Sequence, residues 1–153
     1  MLQSQDFKEL LSTLAKHEVR YLVVGGYAVM LYSEPRWTKD LDIWIAVDAR
    51  NARAAYNALR EFGAPLAGLT EGDFAAPGYF YQMGNPPLRL DVMMEIPGGD
   101  FEAAWGRRNT IDLGGTAIHF IGREDLIAVK LAAGRDQDLR DVESLRRSQE
   151  SET

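Results

Sequence analysis

Apolar residues recur along the chain at two spacings, which separate the predicted helices from the predicted strands. A repeat of three and four residues is typical of one helix face, and a first amphipathic helix is predicted from Phe7, Leu10, Leu11 and Leu14. The same repeat predicts a third helix that ends at Gly63, with apolar positions at Ala52, Ala55, Tyr56, Leu59 and Phe62. Two more helices are predicted over about 123–134 and 136–147.

Short apolar runs and alternating patterns predict the strands. A buried strand over 19–24 ends at Gly25-Gly26, and a short helix is predicted to follow it, from about 27 to 32. Further strands are predicted over 41–47, 79–83, 88–96, 110–113 and 116–121, with a loop over 64–77 and a short helix capped by Asp100.

The connections between these strands indicate the fold class. A turn at 84–86 and the pair Gly114-Gly115 each predict a β-hairpin, and hairpins pair their strands antiparallel. Because helices are interspersed with the strands, the predicted fold class is α/β (α+β), with a mixed β-sheet flanked by helices and with helices at the C-terminal end.

Length and composition narrow the class of protein. The 153 residues suit one domain, predicted over 1–147, with a frayed polar tail over 148–153. The absence of cysteine excludes disulfides and cysteine-bound zinc. No apolar run reaches the roughly 18 residues of a membrane span, and the first residues lack a signal-peptide pattern. We therefore expect no membrane association and a cytoplasmic location.

The formal net charge of −6 disfavours non-specific binding to long nucleic acid, whose phosphates would be repelled. It is compatible with a carboxylate site that binds a nucleotide through a cation.

Two aspartates head the strand predicted after the short helix. Asp40 and Asp42 lie two residues apart, so their side chains share one face of that strand while Leu41 and Ile43 share the other. Adjacent carboxylates repel each other unless a cation lies between them, and their hard oxygen atoms suit Mg²⁺ or Mn²⁺. The alternative is a pair of solvated surface aspartates at the start of a strand.

The two glycines before the short helix have a related interpretation. A strand that passes through Gly25-Gly26 into a helix lets the backbone approach an anion closely, because glycine has no Cβ and the helix N-terminus offers free N–H groups. An ordinary strand-to-helix turn would look the same.

A third carboxylate lies further along the chain. Asp91 alternates with Leu90 and Val92, and a strand beside the first aspartate strand would bring it to the Asp40/Asp42 pair. Glu95 lies on the same strand face and is an alternative candidate for the third carboxylate. A further alternative interprets Asp91 simply as a surface residue of an edge strand.

Together these pieces resemble the signature of the DNA-polymerase-β-like nucleotidyltransferase superfamily. The matching residues are Gly25-Gly26-Tyr27-Ala28-Val29 and Asp40-Leu41-Asp42-Ile43, and thirteen residues separate Gly26 from Asp40. The chain is similar to small bacterial members related to abortive-infection toxin nucleotidyltransferases, from residue 19 to about 145. The resemblance implies the nucleotidyltransferase fold and transfer of a nucleotide from an NTP to a hydroxyl group.

The resemblance also implies roles for individual residues. Gly25 and Gly26 would hold the triphosphate, and Asp40, Asp42 and Asp91 would be catalytic and would bind Mg²⁺ or Mn²⁺.

Two basic regions are candidates for further contacts with the nucleotide. Lys130 falls within an apolar helical arc, where the charge of a lysine needs a partner. That partner would be the triphosphate, the carboxylate cluster or Asp138. Alternatively, the amine extends to water. The layout from Lys130 through Arg135 and Asp138 also resembles the C-terminal motif of the toxin-type enzymes. Arg36 precedes the aspartates and would contact a phosphate or pair with Glu34.

The expected function is therefore metal-dependent NMP transfer from an NTP to an unidentified acceptor: tRNA, a protein or a small molecule. The resemblance adds a toxin–antitoxin or phage-defence role with a cognate antitoxin as partner, and a homo-oligomer would supply a wall for the acceptor. The alternative is an inactive nucleotide-binding or partner-binding protein of the same fold. A haloacid-dehalogenase-like phosphatase is disfavoured, because there the Asp-x-Asp pair ends an apolar strand, whereas here Ile43 and Ile45 follow it.

Overall fold

The computed structural model of the chain describes residues 5–35, 38, 40–78, 80–84 and 89–151. Within these residues the elements are, in order, α1 (Gln5–Lys16), β1 (Tyr21–Val24), α2 (Gly25–Tyr32), β2 (Asp40–Ile45), α3 (Ala49–Phe62), a 3₁₀ turn (Glu71–Ala75), β3 (Phe80–Met83), β4 (Arg89–Met93), α4 (Phe101–Gly106), β5 (Asn109–Leu113), β6 (Thr116–Phe120), α5 (Arg123–Ala133) and α6 (Asp136–Ser151).

The strands form one six-stranded mixed sheet in the order β3-β4-β2-β1-β6-β5. The pairs β1–β2, β3–β4 and β5–β6 are antiparallel, whereas β2–β4 and β1–β6 are parallel. The predicted mixed sheet flanked by helices is thus confirmed. The two predicted hairpins form the two edges of the sheet. The neighbouring strands β2 and β4 carry the candidate aspartates, and β1 leads into the Gly25-Gly26 turn.

The two faces of β2 differ as its alternating pattern predicts. Leu41, Ile43 and Ile45 are buried in the hydrophobic core, whereas Asp40 and Asp42 on the other face are only partly buried. Further along that second face Trp44 is buried, with its ring edge-to-face against Phe101 of α4 at a centroid distance of 5.2 Å. The polar face of the central sheet is therefore open near the start of β2 and covered by helices beyond it.

Local signals fix several helix ends. Asp48 caps α3 by accepting a hydrogen bond from the Asn51 backbone N–H, and Gly63 ends it in the left-handed conformation at φ 98°. Asp100 caps α4 through the Ala103 backbone N–H, as the sequence predicts.

Several boundaries differ from the predicted ones, among them the end of β4 at Met93 rather than at 96. Helix α2 begins at Gly25 itself, and the predicted loop over 64–77 contains the 3₁₀ turn, where Phe74 is fully buried and its ring contacts Tyr56 and Tyr81. Helix α6 continues to Ser151, four residues beyond the predicted end at 147, and the Ser148 hydroxyl donates a hydrogen bond to a backbone carbonyl of α2. Residues 148–151 are helical rather than frayed.

None of the helices in the described parts of the chain combines the length and the apolar character needed to cross a membrane.

Candidate functional site

Three carboxylates meet on the open face of the central strands. Strand β4 runs parallel to β2 in a register that places Asp91 opposite Asp42, as expected for neighbouring strands. One oxygen from each of Asp40, Asp42 and Asp91 can be chosen so that all three lie within 4.8 Å of one another. The sheet therefore brings together three side chains that the sequence places on two separate strands.

The middle carboxylate of the three has an altered acidity. The pKa of Asp42 is raised to about 7, chiefly by burial and then by Asp91 and Asp40, while Lys130 opposes these effects. A largely buried side chain of this kind, beside two like charges, is stabilised by a cation among them. This electrostatic arrangement and the all-oxygen donor set fit a divalent cation such as Mg²⁺ or Mn²⁺.

The glycine turn lies directly beside this cluster. Because β1 pairs with β2 in a register that places Val24 opposite Asp42, the next residue, Gly25, meets the Asp42 carboxylate. Gly25 has φ +70°, and a Cβ built on it would overlap the Asp42 Oδ2 atom. Gly26 is buried in the first turn of α2, whose N-terminus therefore opens beside the carboxylates.

A cavity of about 120 Å³ extends from the cluster beneath α5. Gly25, Asp42, Lys130 and Arg135 all contribute to its lining, together with the apolar side chains of Val24, Met93, Ile96, Leu126, Val129 and Ala133. A larger cavity of about 290 Å³ between α2 and α6 is lined by Ser33, Glu34, Ser144, Arg147 and Ser148 and is separate from the carboxylates.

Lys130 lies in a buried ion-pair network at the wall of the smaller cavity. Its amine is 3.0 Å from Asp141 Oδ2 and 3.4 Å from Asp138 Oδ1, and the three side chains are at most 9% exposed. The sequence left the nucleotide site and Asp138 as alternative partners of this lysine. The structure shows Lys130 paired with Asp138 and also in the lining of the cavity beside Asp42, while its contact with a nucleotide stays a prediction.

Arg135 lies at the same wall with a more exposed side chain. Its Nε donates to Asp138 Oδ2 at 2.7 Å, while 80% of the side chain is exposed. The bond to Asp138 raises the pKa of Arg135, and nearby Asp42 adds to the effect. Because Nη2 also donates to Asp138 Oδ1 at 3.3 Å, the guanidinium is anchored at two nitrogens and stays accessible from the cavity mouth.

Two sequence candidates are not in the cluster. Glu95 follows the end of β4, is exposed, and lies near Gly78 rather than beside Asp42. Asp91 therefore occupies the position of the third carboxylate. Arg36 lies outside the described residues, so its expected contact with phosphate stays a prediction.

Three residues around the candidate side chains carry no clear functional signal in the sequence. Gln82 of β3 donates a hydrogen bond to Asp91, Arg89 lies 3.8 Å from both Asp40 and Asp91, and Asp141 pairs with Lys130. Two of them do have a structural signal in the sequence: the hairpin turn before Arg89 and the three-residue spacing from Asp138 to Asp141. These signals identify the residues only once the strand register and the helix orientation are known.

The sequence also matches a known protein family. A family model described as "Nucleotidyltransferase of unknown function (DUF6036)" matches residues 3–150. No curated protein matches the sequence.

Two solved structures share the fold. One is an antigenic nucleotidyltransferase-like protein from Paracoccidioides brasiliensis, 20% identical with a TM-score of 0.53, covering 93% of this chain and 76% of that chain. The other is ANT(2″)-Ia in complex with adenylyl-2″-tobramycin, 14% identical with a TM-score of 0.55, covering 96% of this chain and 87% of that chain. These likenesses support the nucleotidyltransferase fold, and the predicted resemblance is confirmed.

Proposed function

This chain belongs to the nucleotidyltransferases of unknown function described as DUF6036, and on that premise we propose that it transfers an NMP from an NTP to an acceptor hydroxyl in a reaction that needs Mg²⁺ or Mn²⁺. The observation that carries the proposal is the convergence of Asp40, Asp42 and Asp91 within 4.8 Å beside the Gly25 turn. A metal site and an anion site are thus adjacent, as a metal-bound triphosphate requires.

The proposed reaction is a displacement at the α-phosphorus of the NTP. The acceptor oxygen forms a bond to that phosphorus while the bond to the bridging oxygen of the β-phosphate breaks, and pyrophosphate leaves. The acceptor proton passes to Asp91, at the end of the cluster away from Gly25. When bound, divalent cations supply positive charge to the phosphate oxygens that gain negative charge in this step.

Residues around the carboxylates have assigned roles in this proposal. The backbone of Gly25 and Gly26 at the start of α2 binds the triphosphate, because its N–H groups face an anion at the positive end of the helix. Lys130 and Arg135 line the cavity that continues from Asp42 and contact the nucleotide from the side of α5. Arg36 is proposed as a further phosphate contact on the basis of the sequence alone.

The acceptor belongs to one of three classes: tRNA, protein or a small molecule. The ligand of the ANT(2″)-Ia structure is an adenylylated aminoglycoside, so tobramycin is the first small molecule to test. A toxin–antitoxin or phage-defence role, with a cognate antitoxin, is kept as a hypothesis that a labelled tRNA or protein acceptor would support.

The binding step is tested by calorimetry of each NTP with Mg²⁺ and with EDTA. We expect measurable affinity only with the cation, because the triphosphate would otherwise meet three uncompensated carboxylates. Equal affinity under both conditions would contradict the metal-dependent site.

The transfer step is tested with each α-labelled NTP, Mg²⁺ or Mn²⁺, and either cell extract, tRNA or tobramycin. Asp42→Asn should abolish labelling. Asp112→Asn is the matched control, because Asp112 lies in the β5–β6 hairpin and the asparagine oxygen can still accept the Gly115 N–H bond. Metal-dependent NTP binding without label transfer to any acceptor would favour the inactive binding protein instead.

A further inference from the structure

One hydrogen bond joins the third carboxylate to the edge strand of the sheet. Gln82 on β3 is directly opposite Asp91 on β4, and its Nε2 donates to Asp91 Oδ1 at 2.8 Å. A carboxylate accepts bonds only, so the amide must present its nitrogen. Asp91 is 15% exposed, and Gln82 lies on the exposed face of the edge strand. The bond thus approaches Asp91 from the side opposite Asp42.

A second donor lies near the same oxygen. The Nε of Arg89 is 3.8 Å from Asp91 Oδ1 and also 3.8 Å from Asp40 Oδ1. These distances exceed a hydrogen bond, and Arg89 Nε has no hydrogen-bond partner among the described residues although it is buried. Without the amide of Gln82, the Asp91 carboxylate would be free to rotate and to shorten its ion pair with Arg89.

We propose that Gln82 is a positioning residue that holds the Asp91 carboxylate toward Asp42 and limits its contact with Arg89 to the long ion pair observed. The inference rests on the proposed function, in which Asp91 is a metal ligand. Carboxylate ligands are commonly oriented by hydrogen bonds from outer residues, and loss of such a partner typically costs about 10–100-fold in metal affinity or activity.

The chemistry of glutamine suits this role. Its amide donates a bond without adding positive charge, so it does not repel a cation bound between the carboxylates. A lysine or arginine there would compete with the metal, and a glutamate would add a fourth negative charge without donating. The neutral donor therefore fixes the orientation of Asp91 and leaves the charge of the cluster unchanged.

The test compares Gln82→Met, which keeps the length of the side chain and removes the donor, with Phe80→Ala. Phe80 lies on the same strand and the same face, pairs with Met93 rather than Asp91, and is 56% exposed. Binding of Mn²⁺ to the full chain is followed by electron paramagnetic resonance of free Mn²⁺. We expect Mn²⁺ affinity to fall about 10-fold or more in Gln82→Met and to stay at the wild-type value in Phe80→Ala.

Transfer kinetics separate positioning from a purely structural role. In Gln82→Met the Mn²⁺ concentration for half-maximal activity should rise by the same factor, and kcat at saturating Mn²⁺ should return to within about 3-fold of wild type. In Asp91→Asn, which removes the ligand itself, high Mn²⁺ should not restore kcat. If Gln82→Met lowers the melting temperature, Gln82→Val removes the donor with a residue that suits a strand.

The outcomes distinguish this inference from the proposed function. Wild-type Mn²⁺ affinity in both Gln82→Met and Gln82→Val would overturn the role of Gln82 while leaving the metal site intact. A loss of kcat that saturating Mn²⁺ does not recover, with the Mn²⁺ affinity unchanged, would also overturn it, because Gln82 would then not act through the metal that Asp91 holds. If the wild-type chain neither binds Mn²⁺ nor transfers label, the proposed function itself fails.

Discussion

The carboxylate of Asp42 occupies the space into which a side chain on Gly25 would project. The antiparallel register of β1 and β2 creates this contact, because it places Val24 opposite Asp42 immediately before the chain turns into α2. The glycine therefore does more than allow a left-handed backbone: it lets the central carboxylate pack against the start of the helix that we propose binds the triphosphate.

Gly25→Ala should destabilise the fold by more than the backbone cost alone. A left-handed conformation costs a non-glycine residue about 1–2 kcal/mol, and here the new Cβ also displaces Asp42. The control is Gly114→Ala, because Gly114 has φ +62° and a Cβ there would meet open space. Denaturant unfolding of both variants measures the free energy of unfolding that each substitution removes.

A double-mutant cycle identifies the source of the excess. Asp42→Ala frees the space beside Gly25, so adding Gly25→Ala in that background should cost only about as much as Gly114→Ala. A cost for Gly25→Ala that is the same with and without Asp42 would show that the contact is unimportant.

The contribution of Asp42 to the stability of the metal-free protein should fall as pH rises from about 4 to 7. The pKa of Asp42 is raised from 3.8 to about 7, chiefly by burial, so within this window the folded chain retains a proton that the unfolded chain has released. Stability decreases with pH wherever the folded state binds more protons. Asp42→Asn should therefore melt at a higher temperature than the wild type at pH 8, and the difference should shrink at pH 4.

Added Mg²⁺ provides the check on this interpretation. At pH 8 it should raise the wild-type melting temperature and have a smaller effect on Asp42→Asn, because the cation offsets the repulsion in the wild type. If the metal-free variant melts at a lower temperature than the wild type at pH 8, Asp42 stabilises the fold rather than straining it.

Lys130→Met should lower both nucleotide affinity and stability. The amine lines the cavity beside Asp42 and is also paired with two buried carboxylates of α6. Breaking a buried ion pair typically lowers the free energy of unfolding by about 3–5 kcal/mol. Here we expect about 2–3 kcal/mol, because Asp138 retains its bond from Arg135 and Asp141 retains its bond from Gln137. Calorimetry with an NTP and Mg²⁺ should show an affinity at least about 10-fold weaker, as loss of a charged contact implies.

A second substitution separates these two effects. Asp141→Asn in the Lys130→Met background removes the uncompensated charge, so stability should recover while NTP affinity stays low. Recovery of both together would mean that Lys130 affects the nucleotide only through the packing of α6.

Ser148→Ala should lower the free energy of unfolding by about 0.5–1.5 kcal/mol, the net value of one hydrogen bond. The Ser148 hydroxyl donates to the Tyr32 carbonyl at the end of α2, a group that Arg123 also approaches at 3.4 Å. Removal of residues 148–153 should cost at least as much. Unchanged denaturation midpoints for both variants would show that this last turn of α6 is dispensable.

The sequence by itself determined the features that depend only on residues close together along the chain. Residues two apart on a strand share a face because of covalent geometry, so the pairing of Asp40 with Asp42 and the burial of Leu41 and Ile43 follow from the local pattern. A glycine after an apolar helical repeat likewise marked the end of α3 at Gly63. Such signals need no knowledge of the rest of the fold.

Strand order, register and helix contacts needed the tertiary structure. Residues distant in sequence meet only when the strands pair. The parallel pairing of β4 with β2 therefore decided that Asp91, rather than Glu95, joins the cluster. The register of β3 placed Gln82 beside Asp91. The docking of α6 decided that Lys130 has two acidic partners and that the helix continues to Ser151. Periodicity fixes which way a side chain points, but the packing of distant segments fixes what it meets.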